Sequence, residues 1–422
     1  MLIRWIYSTL LFFASPFLLY GLYKSKLGKP TVGSRWKEHF GLTPRLNALK
    51  NPLWIHAVSV GETIAVTPLI KRLKEQNPEL NIVITTTTAT GAQQAEKLAG
   101  IAIHRYMPLD FPFAIKRFIK TINPCQLLIM ETELWPNTLY TVANHGIPIS
   151  IINARLSERS CQRYAKFPFI FNLFSKHLTQ ALCQYPDDAE RFLRLGLDKS
   201  RVHVTGSIKF DIDIDITSVS KGNELREALG DTRPIWVAAS THAGEDEQIL
   251  TAHKLLLDTY PNALLILVPR HPERFNFVYE LSKRTNFNTT RRTDESSDSY
   301  IDTQVYIGNT MGEMLTFFQA ANICFVGGSL LGDKVGGHNV LEPAALRKPV
   351  ISGPSYYNFA QIVQRMIGRQ AIIVTDCSQD LCMQLHKLFR NPKTMLQMGE
   401  QAYRCVLDNK GAIESTIQLT MR

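Results

Sequence analysis

The sequence predicts an α/β chain of two doubly wound, parallel-sheet domains behind an N-terminal hydrophobic segment. Three observations carry this reading: two successive sets of short apolar runs, each run followed by a polar turn and an amphipathic stretch; a break in that rhythm over residues 212–222; and an uncharged apolar stretch from Trp5 to Tyr23. Apolar runs of strand length alternating with helical patterns build parallel sheets covered on both faces. At 422 residues, 45% of them hydrophobic, the chain is long enough for two packed cores.

The apolar stretch Trp5–Tyr23, assigned with its flanks to residues 1–24, is about the length that crosses a bilayer. It lacks the short hydrophobic core and small-residue cleavage site of a signal peptide. Ser15-Pro16 interrupts it, which keeps a segment lying on one leaflet open beside a single pass, and a buried helix of a soluble domain is a third reading. Lys24, Lys26, Lys29, Arg35, Lys37, Arg45 and Lys50 follow it against Arg4 before it, which puts the body of the protein on the cytoplasmic side.

The first domain is expected over residues 25–211. Leu53, Trp54, Ile55, Ala57 and Val58 form a buried-strand run, Ser59-Val60-Gly61-Glu62 a tight turn, and Ile64, Leu69 and Leu73 the apolar face of a helix. Further runs at Ile82–Thr87, Leu127–Met130, Ile147–Ile152, Leu178–Cys183 and Val202–Val204 continue the alternation. Glu62, Thr88, Glu131, Glu133, Arg155, Ser157 and Lys209 then fall at the carboxyl ends of strands, where ligands collect in such sheets.

Residues 212–222 lose the helical period and read as a linker. Asp211, Asp213 and Asp215 alternate strictly, which places them on one face of a solvated strand edge rather than in a metal clamp. The second domain, residues 223–405, repeats the pattern at Ile235–Ala239, Ala263–Val268, Gln304–Ile307, Ile323–Val326, Pro349–Ile351 and Ile372–Val374. A closing helical segment, Met395–Leu419, overlaps the separate C-terminal piece 406–422.

Net charge of +10 favours an anionic partner: a membrane face, a phosphorylated substrate or nucleic acid. No stretch interleaves aromatic with basic residues, so nucleic acid is not expected. The seven cysteines form no Cys-x-x-Cys pair and read as reduced core residues. The first strand-turn-helix lacks Gly-x-Gly-x-x-Gly, and neither a Walker loop nor a Cys/His metal cluster occurs, so no metal and no cofactor is expected. Glycine pairs Gly327-Gly328 and Gly336-Gly337, with the helix opening near Asn339, suggest backbone amides turned to a phosphate, Arg270 a cation to grip it, and Glu342 an acceptor for ribose hydroxyls. Glu62 at a helix start is either a catalytic carboxylate or a complement to the helix dipole.

The segments His56–Thr63 (HAVSVGET), Met130–Asn137 (METELWPN), Asn153–Ser157 (NARLS), Gly206–Asp211 (GSIKFD), Pro269–Phe275 (PRHPERF) and Gly336–Glu342 (GGHNVLE) together resemble the 3-deoxy-D-manno-octulosonic acid (Kdo) transferase family over nearly the whole chain. That resemblance implies two Rossmann-like domains facing across a cleft, the glycosyltransferase-B architecture, with the C-terminal helix crossing back to the first domain. It implies an inverting, metal-independent transfer of Kdo from CMP-Kdo to the 6′-hydroxyl of the tetraacyl glucosamine disaccharide bisphosphate that precedes lipid A (lipid IVA). Glu62 matches the family's general base; Pro269, Arg270, Met311, Gly312, Glu313, Asn339, Val340, Leu341 and Glu342 match its CMP-contacting segments; Glu131, Glu133, Arg155 and Lys209 match acceptor or donor contacts. The implied partners are CMP-Kdo, the lipid A precursor and anionic lipids on the cytoplasmic face of the inner membrane, with no specific protein partner. A nucleotide-sugar epimerase of the same architecture, or a non-catalytic basic membrane-binding protein, are the competing readings.

Overall fold

The computed structural model describes residues 2–23, 30–46, 51–294 and 300–421; Lys24, Lys26, Lys29 and Lys50 lie outside these. The chain divides into two units, Met1–Asp211 with Lys410–Arg422, and Ile212–Asn409.

The first unit is built on seven parallel strands, β1 (Leu53–His56), β2 (Ile82–Thr86), β3 (Ile103–Tyr106), β4 (Gln126–Met130), β5 (Ile149–Ala154), β6 (Gln180–Cys183) and β7 (Val202–Val204), in the order β3-β2-β1-β4-β5-β6-β7. Strand order reverses between β1 and β4, the switch point at which ligands collect in open sheets. β1 shows why the sheet is buried on both faces. Leu53 and Ile55 pack with Val66, Leu69, Ile70 and Leu73 of α2 (Val60–Gln76), whereas Trp54 packs with Ile115, Phe118 and Ile119 on the opposite face. The Trp54 indole N–H is not orphaned there, because it donates to Thr85 Oγ1 at 2.9 Å.

The second unit repeats the plan with β8 (Ile235–Thr241), β9 (Leu264–Pro269), β10 (Thr289–Arg291), β11 (Val305–Ile307), β12 (Ile323–Val326), β13 (Val350–Ser352) and β14 (Ile372–Val374), all parallel, in the order β10-β11-β9-β8-β12-β13-β14. Its two faces are closed by separate apolar clusters around Trp236 and Val237.

Two expectations need correction. The units divide at Asp211/Ile212 as expected, but the connection is shorter than 212–222, because a helix runs over Ile216–Leu229. Asp215 caps it, accepting from the amides of Thr217 and Ser218 at 3.1 Å each, and Gly222, Leu225 and Leu229 supply its buried face. The Asp211–Asp215 alternation therefore forms no strand edge. The closing stretch is two helices, Pro392–Leu407 and Ala412–Thr420, split at Gly411 with φ +100°, so a boundary at residue 406 falls inside the first of them. Ala412, Ile413 and Ile417 join the apolar face of α2 and β1.

Asp211 fastens this last helix, its carboxylate accepting from the amides of Gly411 and Ile413 at 2.6 Å each. Replacing Asp211 with alanine removes a capping acceptor, and denaturant unfolding should show a loss of about 1–2 kcal/mol. An unchanged unfolding midpoint would show that the helix is held by its apolar face alone.

α1 (Leu2–Tyr23) is long and apolar enough to cross a membrane, by length and composition. It is not a buried helix, since Trp5, Leu10, Phe13 and Phe17 are exposed.

Candidate active site

In the first unit the turn after β1 presents Glu62. Ser59 caps α2, its Oγ accepting from the Glu62 amide at 3.3 Å, and Glu62 turns back so that Oε2 accepts from Val58 N at 2.8 Å and Oε1 from Ser59 Oγ at 3.1 Å. This Ser-x-x-Glu arrangement is a variant of the capping box. Capping would by itself hold a carboxylate ionised, yet partial burial pushes Glu62 up to about 7, with the charges of Glu131 and Glu133 adding to the rise against the Val58 and Ser59 hydrogen bonds. The carboxyl is thus poised to exchange a proton near neutrality, which a cap does not require.

Glu131 follows β4 across the switch point. Its φ of +55° is a left-handed conformation unusual for a side chain with a Cβ, and its Oε1 lies 3.9 Å from Lys209 Nζ. Glu133 accepts from the Trp135 indole at 3.3 Å, and the Trp135 ring meets the edge of His56 at 5.5 Å between centroids. So Glu133 fixes Trp135 while remaining close enough to act on Glu62. Arg155 is half-buried after β5 and acts on the buried carboxylate of Asp188. Asn153, also at positive φ (+51°), was not singled out in the sequence. It is fully buried, its Oδ1 accepts from Ile208 N at 3.2 Å, and its Nδ2 has no protein partner.

In the second unit Arg270 follows β9, its amide donating to Thr241 O at 3.0 Å. Its guanidinium acts on Glu342, His338 and His242, which gathers these groups at one edge of the sheet. His242 and His338 stack at 5.1 Å with rings 5° apart, their Nε2 atoms 2.8 Å apart, and His271 packs edge-on to His242. One Nε2 must donate and the other accept, so the pair cannot carry two charges. Burial, then His242 and Arg270, hold His338 down to about 4. Glu342 is raised by burial, opposed by the Asn339 amide at 3.0 Å and by Arg270.

At the first glycine pair the backbone is not the free anion seat that the sequence suggested. Glu245, fully buried at the start of the helix Asp246–Leu257, occupies it: Oε2 accepts from the amides of His242 (3.0 Å) and Gly328 (2.7 Å), and Oε1 from those of Ser329 (2.8 Å) and Leu330 (2.9 Å). Nor does the helix near Asn339 offer a free first amide, because Leu341 N donates to Asn339 Oδ1 at 3.0 Å and that helix is only five residues long, Leu341–Ala345. Val340 and Leu341 bury their side chains. The glycines instead allow close packing. Gly328 has φ +69°, and a Cβ there would meet the His338 ring at 2.8 Å; Gly336 has φ +82°, and a Cβ would meet the Tyr357 ring at 2.4 Å. Pro269 closes β9 in the core; Met311 is exposed, Gly312 turns at φ +84°, and Glu313 is gripped by Arg292 at 3.0 and 3.2 Å, which holds its carboxyl below the usual range.

Two parallel sheets, each with its polar groups on the carboxyl edge near a reversal of strand order, are the plan of the two-domain nucleotide-sugar enzymes, and the chain has the glycosyltransferase-B type of fold. The UDP-GlcNAc 2-epimerase of Neisseria meningitidis, solved with UDP-GlcNAc bound, shares that fold with a TM-score of 0.60 over 88% of this chain and 100% of its own, at 15% identity. The sequence profile described as 3-deoxy-D-manno-octulosonic-acid transferase (kdotransferase) matches residues 34–212. The 3-deoxy-D-manno-octulosonic acid transferase of Haemophilus influenzae is 38% identical over 421 residues, 99% of this chain and 97% of its own, and that of Bordetella pertussis 32% identical over 381 residues, 87% and 86%. The chain belongs to the Kdo transferase family.

Proposed function

We propose that the chain transfers Kdo from CMP-Kdo to the 6′-hydroxyl of lipid IVA, with inversion and without a metal or other cofactor, at the cytoplasmic face of the inner membrane in lipopolysaccharide assembly. The observation that carries this reading is the Glu62 carboxyl, set at the switch point of the first sheet and shifted to about 7. Glu62 takes the proton of the acceptor hydroxyl as its oxygen bonds to the anomeric carbon from the face opposite CMP, and the electrons of the breaking C–O bond pass to the CMP phosphate. Arg270, with the segments at Pro269, Met311–Glu313 and Asn339–Glu342, receives the donor. A monophosphate leaving group develops less charge than a diphosphate, and the Arg270 guanidinium is assigned its neutralisation. Glu131, Arg155 and Lys209 are assigned to the substrates' charged groups, and Lys209 Nζ lies 3.9 Å from Glu131 Oε1.

Incubating purified protein with lipid IVA and CMP-Kdo and weighing the lipid by mass spectrometry tests this directly. Lipid heavier by whole Kdo increments supports it; CMP release with unchanged lipid mass rejects it. The pH profile follows from the sign of the Glu62 shift. Protonated Glu62 cannot accept a proton, so kcat/KM should fall as pH drops through about 7 and level off above it. A profile flat from pH 5 to 8 would remove Glu62 as the base, pH values here being about those at which a base near 7 titrates.

A further inference from the structure

We propose that α1 lies in the plane of one membrane leaflet along the flank of the first unit and does not cross the bilayer. Both ends of the helix are tied to that unit. Near its start the Arg4 guanidinium sits 3.2 Å from the centre of the Tyr140 ring, Tyr7 hydrogen-bonds Asp110, and Ser8 Oγ accepts from Asn137 Nδ2 at 2.9 Å. At its end the Tyr23 hydroxyl is 2.7 Å from His39 Nδ1. A helix of 22 residues is about 33 Å long, so contacts at both ends hold its axis along the unit. A spanning helix leaves its domain after a turn and would forfeit one of these sets.

The helix is also sided. Arg4, Ser8, Leu11, Ser15 and Leu19, at three- and four-residue intervals, are half-buried against the unit, while Leu10, Phe13, Phe17 and Tyr20 on the other side are exposed. The usual surface helix turns its apolar side inward. Here the hydrogen-bonded side is inward and, among the described residues, Leu10, Phe13 and Phe17 on the bulky apolar side stay exposed, which is the geometry of a helix whose outer face sinks into acyl chains.

Charge complementarity selects an anionic leaflet as the occupant. α1 packs on the helix Pro136–Asn144, which in turn touches the helices Pro112–Ile122 and Pro168–Ser175. These neighbours carry exposed Phe113 and Phe169 together with exposed Lys116, Arg117, Lys120 and Lys176 on them or at their ends. Aromatic side chains at headgroup depth beside lysines and arginines suit acidic phospholipid. The helix's docking points, Asp110 after β3 and Asn137 after β4, lie on the carboxyl edge that also bears Glu62, so an in-plane α1 brings that edge to the surface in which a lipid acceptor resides.

The proposal rests on the membrane location given above, and one experiment separates the two. Full-length protein carrying a protease-removable tag before Met1 and a second, identical tag after Arg422 is reconstituted into phosphatidylethanolamine–phosphatidylglycerol vesicles and exposed to the protease from outside. An in-plane α1 predicts that both tags are removed to equal extents. Removal of the C-terminal tag while the N-terminal tag survives until detergent is added means that α1 crosses the bilayer, and overturns the proposal while leaving the membrane location intact. Failure to float with the vesicles overturns both.

Discussion

Replacing Glu62 with glutamine should lower the rate of Kdo transfer by roughly 100- to 10,000-fold, the range that a positioned general base contributes. The substitution separates the two jobs this side chain performs. As a cap, Glu62 accepts from Val58 N and Ser59 Oγ, and a glutamine carbonyl oxygen can keep one of these, so below about pH 4.5, where both side chains are neutral, stability should change by no more than about 1 kcal/mol. As a base it has no substitute, because an amide takes no proton near neutrality. The linkage sign agrees: the folded-state value, near 7 against an ordinary 4.5, means that stability present below about 4.5 is lost as pH rises through about 7, and glutamine escapes that loss. The expected result is a variant that folds, binds CMP as the parent does by calorimetry, and has lost both turnover and the acid limb of the pH profile. If it keeps a tenth of the parental turnover, Glu62 is a structural cap and the mechanism proposed above is wrong.

Glu245→Ala carries the second largest effect, on folding first and on donor binding through it. Four backbone amides converge on this one buried carboxylate, and the N-terminus of its own helix adds a favourable field. Alanine strands those donors in a site that no side chain refills, at a cost of about 3 kcal/mol or more. The loop from Gly328 to Leu330 should then lose hydrogen-exchange protection before the rest of the second unit. His338 packs against Gly328, so CMP affinity is expected to fall with that loop. Denaturant unfolding and exchange at these amides check it; parental stability in the alanine variant would mean that water replaces the carboxylate without penalty.

The elements most legible in the sequence are those buried on both faces. β1, β4 and β12 are continuous apolar runs and were placed to within two residues. β3 and β10 were not found because neither edge strand carries an apolar run, unlike the edge strands β7 and β14. β3, Ile-His-Arg-Tyr, hides only alternate side chains, and β10, Thr-Thr-Arg, hides none fully. The Asp211–Asp215 alternation misled for a different reason: an aspartate that caps a helix and one on a strand edge look alike until the following residues reveal their buried spacing. At the candidate site, Glu62 could be found because its strand, turn and helix are contiguous. Glu245 could not. It meets Gly328 across 83 residues, and glycines announce where backbone comes close without saying what occupies the space. The stacking of His242 on His338, 96 residues apart, is invisible for the same reason.

The first unit is assembled from both ends of the chain, with Ile413 and Ile417 completing an apolar face begun at Leu53 and Asp211 holding the amides that start the last helix. On a ribosome this means that the contiguous stretch Ile212–Asn409 is the one able to finish first, although it is made second. The amino-terminal sheet must wait, with part of its surface open, for the final dozen or so residues to emerge. Premature stop codons near the 3′ end of the message, or degradation signals appended there, would therefore strike the half of the protein that was translated earliest.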